Sequence, residues 1–244
     1  MRERVGALRN YMREVAKRPN HRDVLRQCEV LSSLSDEDFG LLEQNSYLAY
    51  AERGEVIWLS GATAEFIAII GSGFVKLTKT SPHGHEVTVE LLGPSQPAGI
   101  MAAIESHIYP LSALAVSNCW YLKIPTPLFL NVYEHNEKLK DMILKTLGPR
   151  LRRAYDMMTR LSSGKVEERV AAVLLILATS YGKPAETGTV LEVPLTRQDI
   201  AEMAGTTVET TIRVMSRWQK NGVLTTDHQV ITLHCLQSLN DTLG

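Results

Sequence analysis

Residues 195–224, LTRQDIAEMAGTTVETTIRVMSRWQKNGVL, constrain the fold more than any other stretch of this 244-residue chain. A helix is expected to start at Thr196, whose hydroxyl caps free amides, with Asp199 three residues on completing a capping box. Ile200, Met203 and Ala204 then give it an apolar side at helical spacing. Gly205 supplies the left-handed residue that ends the helix and turns the chain. A second capping box, Thr206 with Glu209, is expected to open a helix whose apolar positions are Val208, Ile212, Met215 and Trp218. Two short helices around a glycine turn, the second carrying Glu209 and Arg213 four residues apart on one face, make a helix-turn-helix. That second helix is narrow enough for a DNA major groove, where Arg and Glu read base edges. The same local pattern also occurs as an αα-hairpin in helical bundles, with the Glu–Arg pair merely solvated. The residues after Gly222 favour DNA. Val223-Leu224, a turn at Thr225-Thr226-Asp227-His228 and the alternating Val230-Ile231-Thr232-Leu233 read as a β-hairpin, the wing of a winged helix.

Charge distribution says more than charge total. The net formal charge is −1, yet residues 1–22 hold seven Arg or Lys against two Glu, a net of +5. Residues 165–244 hold seven basic and nine acidic residues, a net of −2. Such a balance implies weak non-specific DNA affinity, because phosphate neutralisation supplies most of it. It leaves open a second class of function, a ligand-binding or scaffold module with a degenerate DNA-binding domain. Cys28, Cys119 and Cys235 are widely spaced with no CxxC, so disulfides and thiolate metal sites are not expected and a reducing cytoplasm fits. No apolar run approaches the ~20 residues that span a membrane, and the N-terminus lacks the apolar core of a signal peptide. No P-loop, GxSxG or HExxH signature indicates an enzyme.

The chain divides by texture. Residues 1–22 form a basic arm, read either as a loose segment or as a short helix along Val5, Leu8, Met12 and Val15 that Pro19-Asn20 stops. Residues 23–130 begin with a helical segment over 23–45, interrupted near Ser32-Ser33, and continue as short strands. The strands are expected at Leu48–Tyr50, Val56–Leu59, Phe66–Ile70, Phe74–Lys79, Glu86–Leu92, Leu111–Val116 and Trp120–Ile124, with glycine turns between them. That spacing predicts an antiparallel β-roll. A long helix follows from about Leu128 to Leu161, taken as the dimerisation element of residues 131–162. Its stripe of Leu139, Ile143, Leu147, Leu151, Ala154, Met158 and Leu161 is too long for a small roll to bury, which predicts a homodimer along it. Pro149 in its interior costs ~3 kcal/mol, so a bend is expected near Gly148-Pro149. Ser162-Ser163-Gly164 reads as a hinge, and the apolar helix Val166–Tyr181 opens a C-terminal domain of residues 163–244. The fold class is therefore α+β.

With GEVIWLSGATAEFIAIIGSGFVKL at 54–77, KVEERVAAVLLIL at 165–177 and the helix-turn-helix at 195–224, the chain resembles the Crp/Fnr superfamily of bacterial transcription regulators over nearly its whole length. The resemblance implies a cyclic-nucleotide-binding-like roll and a winged helix that binds a pseudo-palindromic double-stranded site, with RNA polymerase as a further partner. It implies that Arg213 donates to a guanine and Glu209 accepts from a cytosine amine. Val208 stands where the cyclic-AMP receptor branch carries Arg, so the helix is more similar to the fumarate–nitrate branch, which reads TTGA-type half-sites. Ile212 departs from the Ser of that branch, and either touches a thymine methyl or packs inward. Thr196, Gln198, Thr207 and Thr210 match positions that contact phosphates in relatives.

The effector is less determined. Cyclic-nucleotide binders of the family hold ribose and phosphate with an F-G-E-L segment followed by R-S-A, and the aligned residues here are Ile100 for the Glu and Leu111 for the Arg. A cyclic phosphate without a cationic partner pays a desolvation penalty of several kcal/mol, so cyclic AMP is not the expected ligand. Two cysteines, Cys28 and Cys119, do not make an iron–sulfur site, which takes about four thiolates. An apolar pocket of Ile100, Met101, Ile104 and Leu111 leaves haem, ligated by His107 or His135, beside an unidentified small molecule or no ligand at all. His83 and His85 fall in a hairpin turn.

Overall fold

In a computed structural model, which describes residues 17–82, 84–105 and 107–243, Asn20 starts a helix. Its side-chain oxygen accepts from the amides of Arg22 and Asp23, and α1 runs His21–Gln27. The helix expected along Val5 to Val15 lies outside the described residues. After a single 3₁₀ turn at Glu29–Leu31, Ser35 caps α2, Asp36–Asn45, whose first turn holds Asp36, Glu37 and Asp38 where the helix dipole favours acids.

The strands are β1 (Tyr47–Ala51), β2 (Val56–Trp58), β3 (Phe66–Ser72), β4 (Val75–Thr80), β5 (Glu86–Leu92) and β6 (Pro97–Ala98). A short helix α3 (Ile100–Glu105), which no sequence periodicity marks, precedes β7 (Ser112–Ala115) and β8 (Cys119–Pro125). They form two four-stranded sheets, ordered β1-β8-β3-β6 and β2-β7-β4-β5. In the first, β8 pairs antiparallel with both β1 and β3, placing Tyr47 opposite Lys123 and Phe66 opposite Pro125. The continuous apolar run of β3 follows from its position, because it is buried on both faces. Ile67 and Ile69 join Leu122 and Ile124 in a cluster with Leu25 and Leu42 of the helices. Ala68 and Ile70 point the other way, into the roll interior with Val75, Leu92 and Cys119.

The single long helix expected from Leu128 is two. Helix α4 runs Thr126–His135 and α5 runs Glu137–Ser163. The break falls at Asn136, whose side-chain oxygen accepts from the Leu139 amide while its Nδ2 donates to Asp38. Helix α5 then runs unbroken through Pro149, so the proline expected to bend the chain near Gly148-Pro149 does not end the helix. Arg150, the next residue, pairs with Glu90 and donates to Pro97 O.

The dimer stripe is corrected at its N-terminal end. Leu139 and Ile143 are buried in the same cluster as Ile67 and Phe129, and Leu147 packs against it, so these three have partners within the chain. The exposed large apolar residues of α5 are Leu144, Leu151, Tyr155, Met158 and Leu161, and Ala154 of the expected stripe is exposed among them.

The remaining elements are α6 (Val166–Tyr181), a hairpin of β9 (Gly182–Ala185) and β10 (Gly188–Leu191), α7 (Arg197–Ala204), α8 (Val208–Lys220), β11 (Leu224–Asp227), β12 (Val230–Leu233) and α9 (Leu236–Asp241). The wing is more than the expected hairpin, since β9 and β10 extend it to a sheet of order β11-β12-β10-β9. Its turn is also shifted. Thr225 to Asp227 belong to β11, and the turn is the two residues His228 and Gln229, with φ of 45° and 72°. Two consecutive positive φ values give the turn whose twist matches paired strands.

Two compact units result. Among the described residues, one comprises 17–79 with 90–150, the other 80–89 with 151–243. No described helix is long and apolar enough to cross a membrane.

Candidate nucleic-acid interface and effector cavity

The helix-turn-helix is built by local capping. Asp199 donates its amide to Thr196 Oγ1 at 3.1 Å, and its carboxylate accepts from the Thr196 amide at 2.9 Å, closing the expected box at the start of α7. Gly205, at φ 57° and ψ 46°, ends that helix in the left-handed region. The second cap is one residue later than expected. The Thr206 amide is used to bond Ala201 O across the turn, so Thr207 caps α8 and accepts from the Thr210 amide at 3.3 Å. The corner is held from outside by Arg169 on α6. Its guanidinium donates to the carbonyls of Ala204 (2.9 Å), Gly205 (3.2 Å) and Gly164 (3.1 Å).

Thr211, Val214, Met215 and Trp218 form the buried side of α8. Ile212 does not belong to it. At 46% exposure it sits on the outer face, which removes inward packing and corrects its place in the apolar stripe. Glu209 and Arg213 are exposed on that same face, and Val208 is half-buried at its start. The amide of Glu209 and the Thr207 hydroxyl hold the Glu209 carboxyl below the usual carboxylate range, so it is ionised and acts as acceptor only. The neighbouring arginines are engaged elsewhere. Arg217 pairs with Glu167, and half-buried Arg197 donates to Thr226 Oγ1 at 2.9 Å. Among the described residues Arg213 makes no ion pair.

Of the positions matched to phosphate contacts, Thr207 is exposed and Thr196 is occupied by its capping box. Thr210 is half-buried against Thr207, and Gln198 donates to Glu202 at 2.8 Å. Glu202 in turn accepts from Thr88 at 3.1 Å, a link from β5 that nothing local in the sequence announces.

The roll unit holds a cavity of about 210 Å³. Ile100, Met101 and Leu111 line it as expected, whereas Ile104 does not and packs instead with the helices and the outer face of β3. Gly99, at φ 85°, brings the backbone against the Tyr109 ring, where a Cβ would lie 3.2 Å from it. Trp58 stacks on Tyr109 with centroids 4.4 Å apart, and its Nε1 donates to Leu111 O at 3.0 Å, fixing an aromatic wall. His107 and His135 are both exposed and neither lines the cavity. Haem therefore does not fit this cavity with those ligands.

Cys28 and Cys119 are core residues in separate clusters, and burial pushes their thiols up to about 11 and about 12. Among the described residues no three His, Cys, Asp or Glu side chains gather as a metal site. His85 accepts at its carbonyl from the Ser81 amide in the β4–β5 turn, and His83 lies outside the described residues.

The expected absence of a cation also needs correction. Arg150 of α5 lines the cavity, with Nε 3.2 Å from Glu90 Oε1 and Nη2 donating to Pro97 O at 3.2 Å. Helical spacing from Ile143 and Leu147 to Arg150 was the signal, since positions i, i+4 and i+7 share a face.

A roll with an internal cavity, joined to a winged helix-turn-helix, defines a two-domain transcription regulator. Residues 49–136 match the cyclic nucleotide-binding domain family and residues 168–242 the Crp-like helix-turn-helix domain family. The chain belongs to the Crp/Fnr family. It is 27% identical over 193 residues to the anaerobic regulatory protein of Haemophilus influenzae, covering 79% of this chain and 75% of that protein. It is 26% identical over 185 residues to the global nitrogen regulator of a Nostoc species, covering 75% and 83%. Among solved structures, FixK2 from Bradyrhizobium japonicum shares the fold with a TM-score of 0.73 at 20% identity, covering 82% of this chain and 98% of that one. The relatives are regulators of transcription, not enzymes.

Proposed function

We propose that this regulator binds DNA as a homodimer, with α8 in the major groove and the roll cavity as the site of a small effector. The observation that carries the reading is the outer face of α8. It presents ionised Glu209 as acceptor, Arg213 as an uncommitted guanidinium and Ile212 as an apolar contact for a thymine methyl. Thr207 and the amides at the start of α8 suit backbone phosphates, which fix register without reading sequence. Cyclic AMP is not the proposed effector, because Ile100 and Leu111 offer its ribose and phosphate no hydrogen bond and the cavity, at about 210 Å³, is below the ~300–1,000 Å³ of drug-sized ligands.

The test is selection of binding sites from random duplex DNA, followed by titration at two salt concentrations. Selection should return a palindrome with TTGA-type halves. Arg213→Ala should lose about 1–3 kcal/mol per half-site and relax preference at one G·C pair. An unchanged consensus with that variant would mean that α8 does not read the site. The net charge of −2 over residues 165–244 supports the alternative, a module with a degenerate DNA-binding domain, and failure to enrich any sequence would favour it.

A further inference from the structure

The cavity of the roll unit has one charged end. Glu90 from β5 and Arg150 from α5 meet there at 3.2 Å, each about a quarter exposed (26% and 28%), while the wall is mostly apolar, with Trp58, Ile100, Met101 and Leu111 among its residues and the hydroxyls of Thr146 and Tyr109 donating to the carbonyls of Ile143 and Phe66. The two partners are not held alike. Arg150 is anchored by its second bond to Pro97 O and by the helix that carries it. Glu90 stands on a strand and meets the guanidinium in a partly open pair. An arriving anion can therefore take Arg150 while Glu90 turns into water, and no buried charge is left unpaired. A cationic ligand has no such exchange, because it would free Arg150 beside apolar walls.

The chemistry of the head group is set by the group that already fills the site. A carboxylate, the chain's own, occupies the guanidinium edge that Pro97 O leaves available. The carbonyl lone pairs beside that edge disfavour a doubly charged head such as a phosphate monoester. The tail is set by the wall, which offers aromatic and aliphatic surface. At about 210 Å³ the cavity is smaller than the ~300–1,000 Å³ that drug-sized ligands need. We propose that the cavity takes a small monocarboxylate with an apolar tail, which binds Arg150 by displacing Glu90. This rests on reading the cavity as the effector pocket, and goes beyond it in naming the ligand's chemistry and its internal competitor.

Calorimetric titration of the full chain with phenylacetate, hexanoate and butyrate tests it, with phenylacetamide and phenyl phosphate as matched controls. At least one carboxylate should bind, and phenylacetate should bind at least about tenfold more tightly than phenylacetamide, the difference one charge-assisted hydrogen bond makes. Glu90→Gln should tighten the carboxylates and leave phenylacetamide unchanged, a gain that a merely structural ion pair would not give. Arg150→Gln should remove the preference for carboxylate, and Arg150→Lys, which keeps the cation, should retain part of it even if the glutamine variant fails to fold. Weaker carboxylate binding to Glu90→Gln, or phenyl phosphate binding more tightly than phenylacetate, would overturn the proposal. Equal binding of phenylacetate and phenylacetamide would overturn the carboxylate class and leave the effector pocket standing. Binding by none of the five would overturn both.

Discussion

Three carbonyl oxygens converge on Arg169, and two of them belong to the turn of the helix-turn-helix. Hydrogen bonds from a charged donor to otherwise unpaired helix-end carbonyls are worth more than neutral ones. Arg169→Met, which keeps the stem and removes the donors, should destabilise the C-terminal unit by about 2 kcal/mol in chemical denaturation. A midpoint equal to that of the parent would show that water replaces the guanidinium without loss. The three cysteines supply a second residue-scale prediction. Ser238 donates from its hydroxyl to Cys235 Sγ at 3.1 Å, and this bond with backbone amides holds the Cys235 thiol below its ordinary value. Burial pushes Cys28 to about 11 and Cys119 to about 12. Since the thiolate is the nucleophile, one equivalent of thiol reagent should react with the native protein, at Cys235, with a pH midpoint below that of a free thiol. Modification of Cys28 or Cys119 before unfolding would contradict their burial. The sequence disclosed only local relations at this scale. Thr196, Asp199 and Gly205 lie within one turn of the groups they satisfy, whereas Arg169 acts on carbonyls 35 and 36 residues away. Glu90 and Arg150 are likewise joined only by the fold.

Elements were legible where their periodicity was clean and their ends were marked. The roll strands other than β6 fall within a few residues of their expected places because glycines punctuate them, and Gly205 marks the turn between α7 and α8. Helices α3 and α9 and strands β6, β9 and β10 are not marked in the sequence, being short segments whose state is decided by packing and by ladder partners. Asn136 was read through as helix because apolar residues continue on both sides of it, and the cap is visible only once its bond to the Leu139 amide is seen. Pro149 misled in the opposite direction. The local cost predicts a bend, and the helix stays continuous through the proline, with Ile143 buried on one side of it and Arg150 paired with Glu90 on the other. The cost itself remains in the folded state. Pro149→Ala should restore one helical hydrogen bond and relieve the clash of the ring with the preceding turn, together ~3 kcal/mol, less the ~1 kcal/mol by which proline restrains the unfolded chain, so the variant should gain about 2 kcal/mol against denaturant. No gain would mean that the helix has already relaxed around the ring.

At the scale of the molecule, the exposed stripe of α5 is the feature a monomer leaves unsatisfied. Leu144, Leu151 and Met158 recur every seven residues, with Tyr155 and Leu161 beside them, the spacing of a coiled-coil seam. Leu151→Glu together with Met158→Glu should shift sedimentation from dimer to monomer without unfolding the roll. A double variant that still sediments as a dimer would place self-association on another surface. The two compact units also fail to follow the chain in order, because Thr80–Val89 belongs with the C-terminal residues. This has a consequence during synthesis. Thr88 leaves the ribosome 114 residues ahead of Glu202, the acceptor of its hydroxyl. At ~5–20 residues per second, that interval is on the order of ten seconds. The tip of the β4–β5 hairpin must therefore wait, solvated, while the rest of its sheet closes, and the polar Thr80-Ser81-Pro82 and Gly84-His85-Glu86 flanks give it a composition that tolerates the delay.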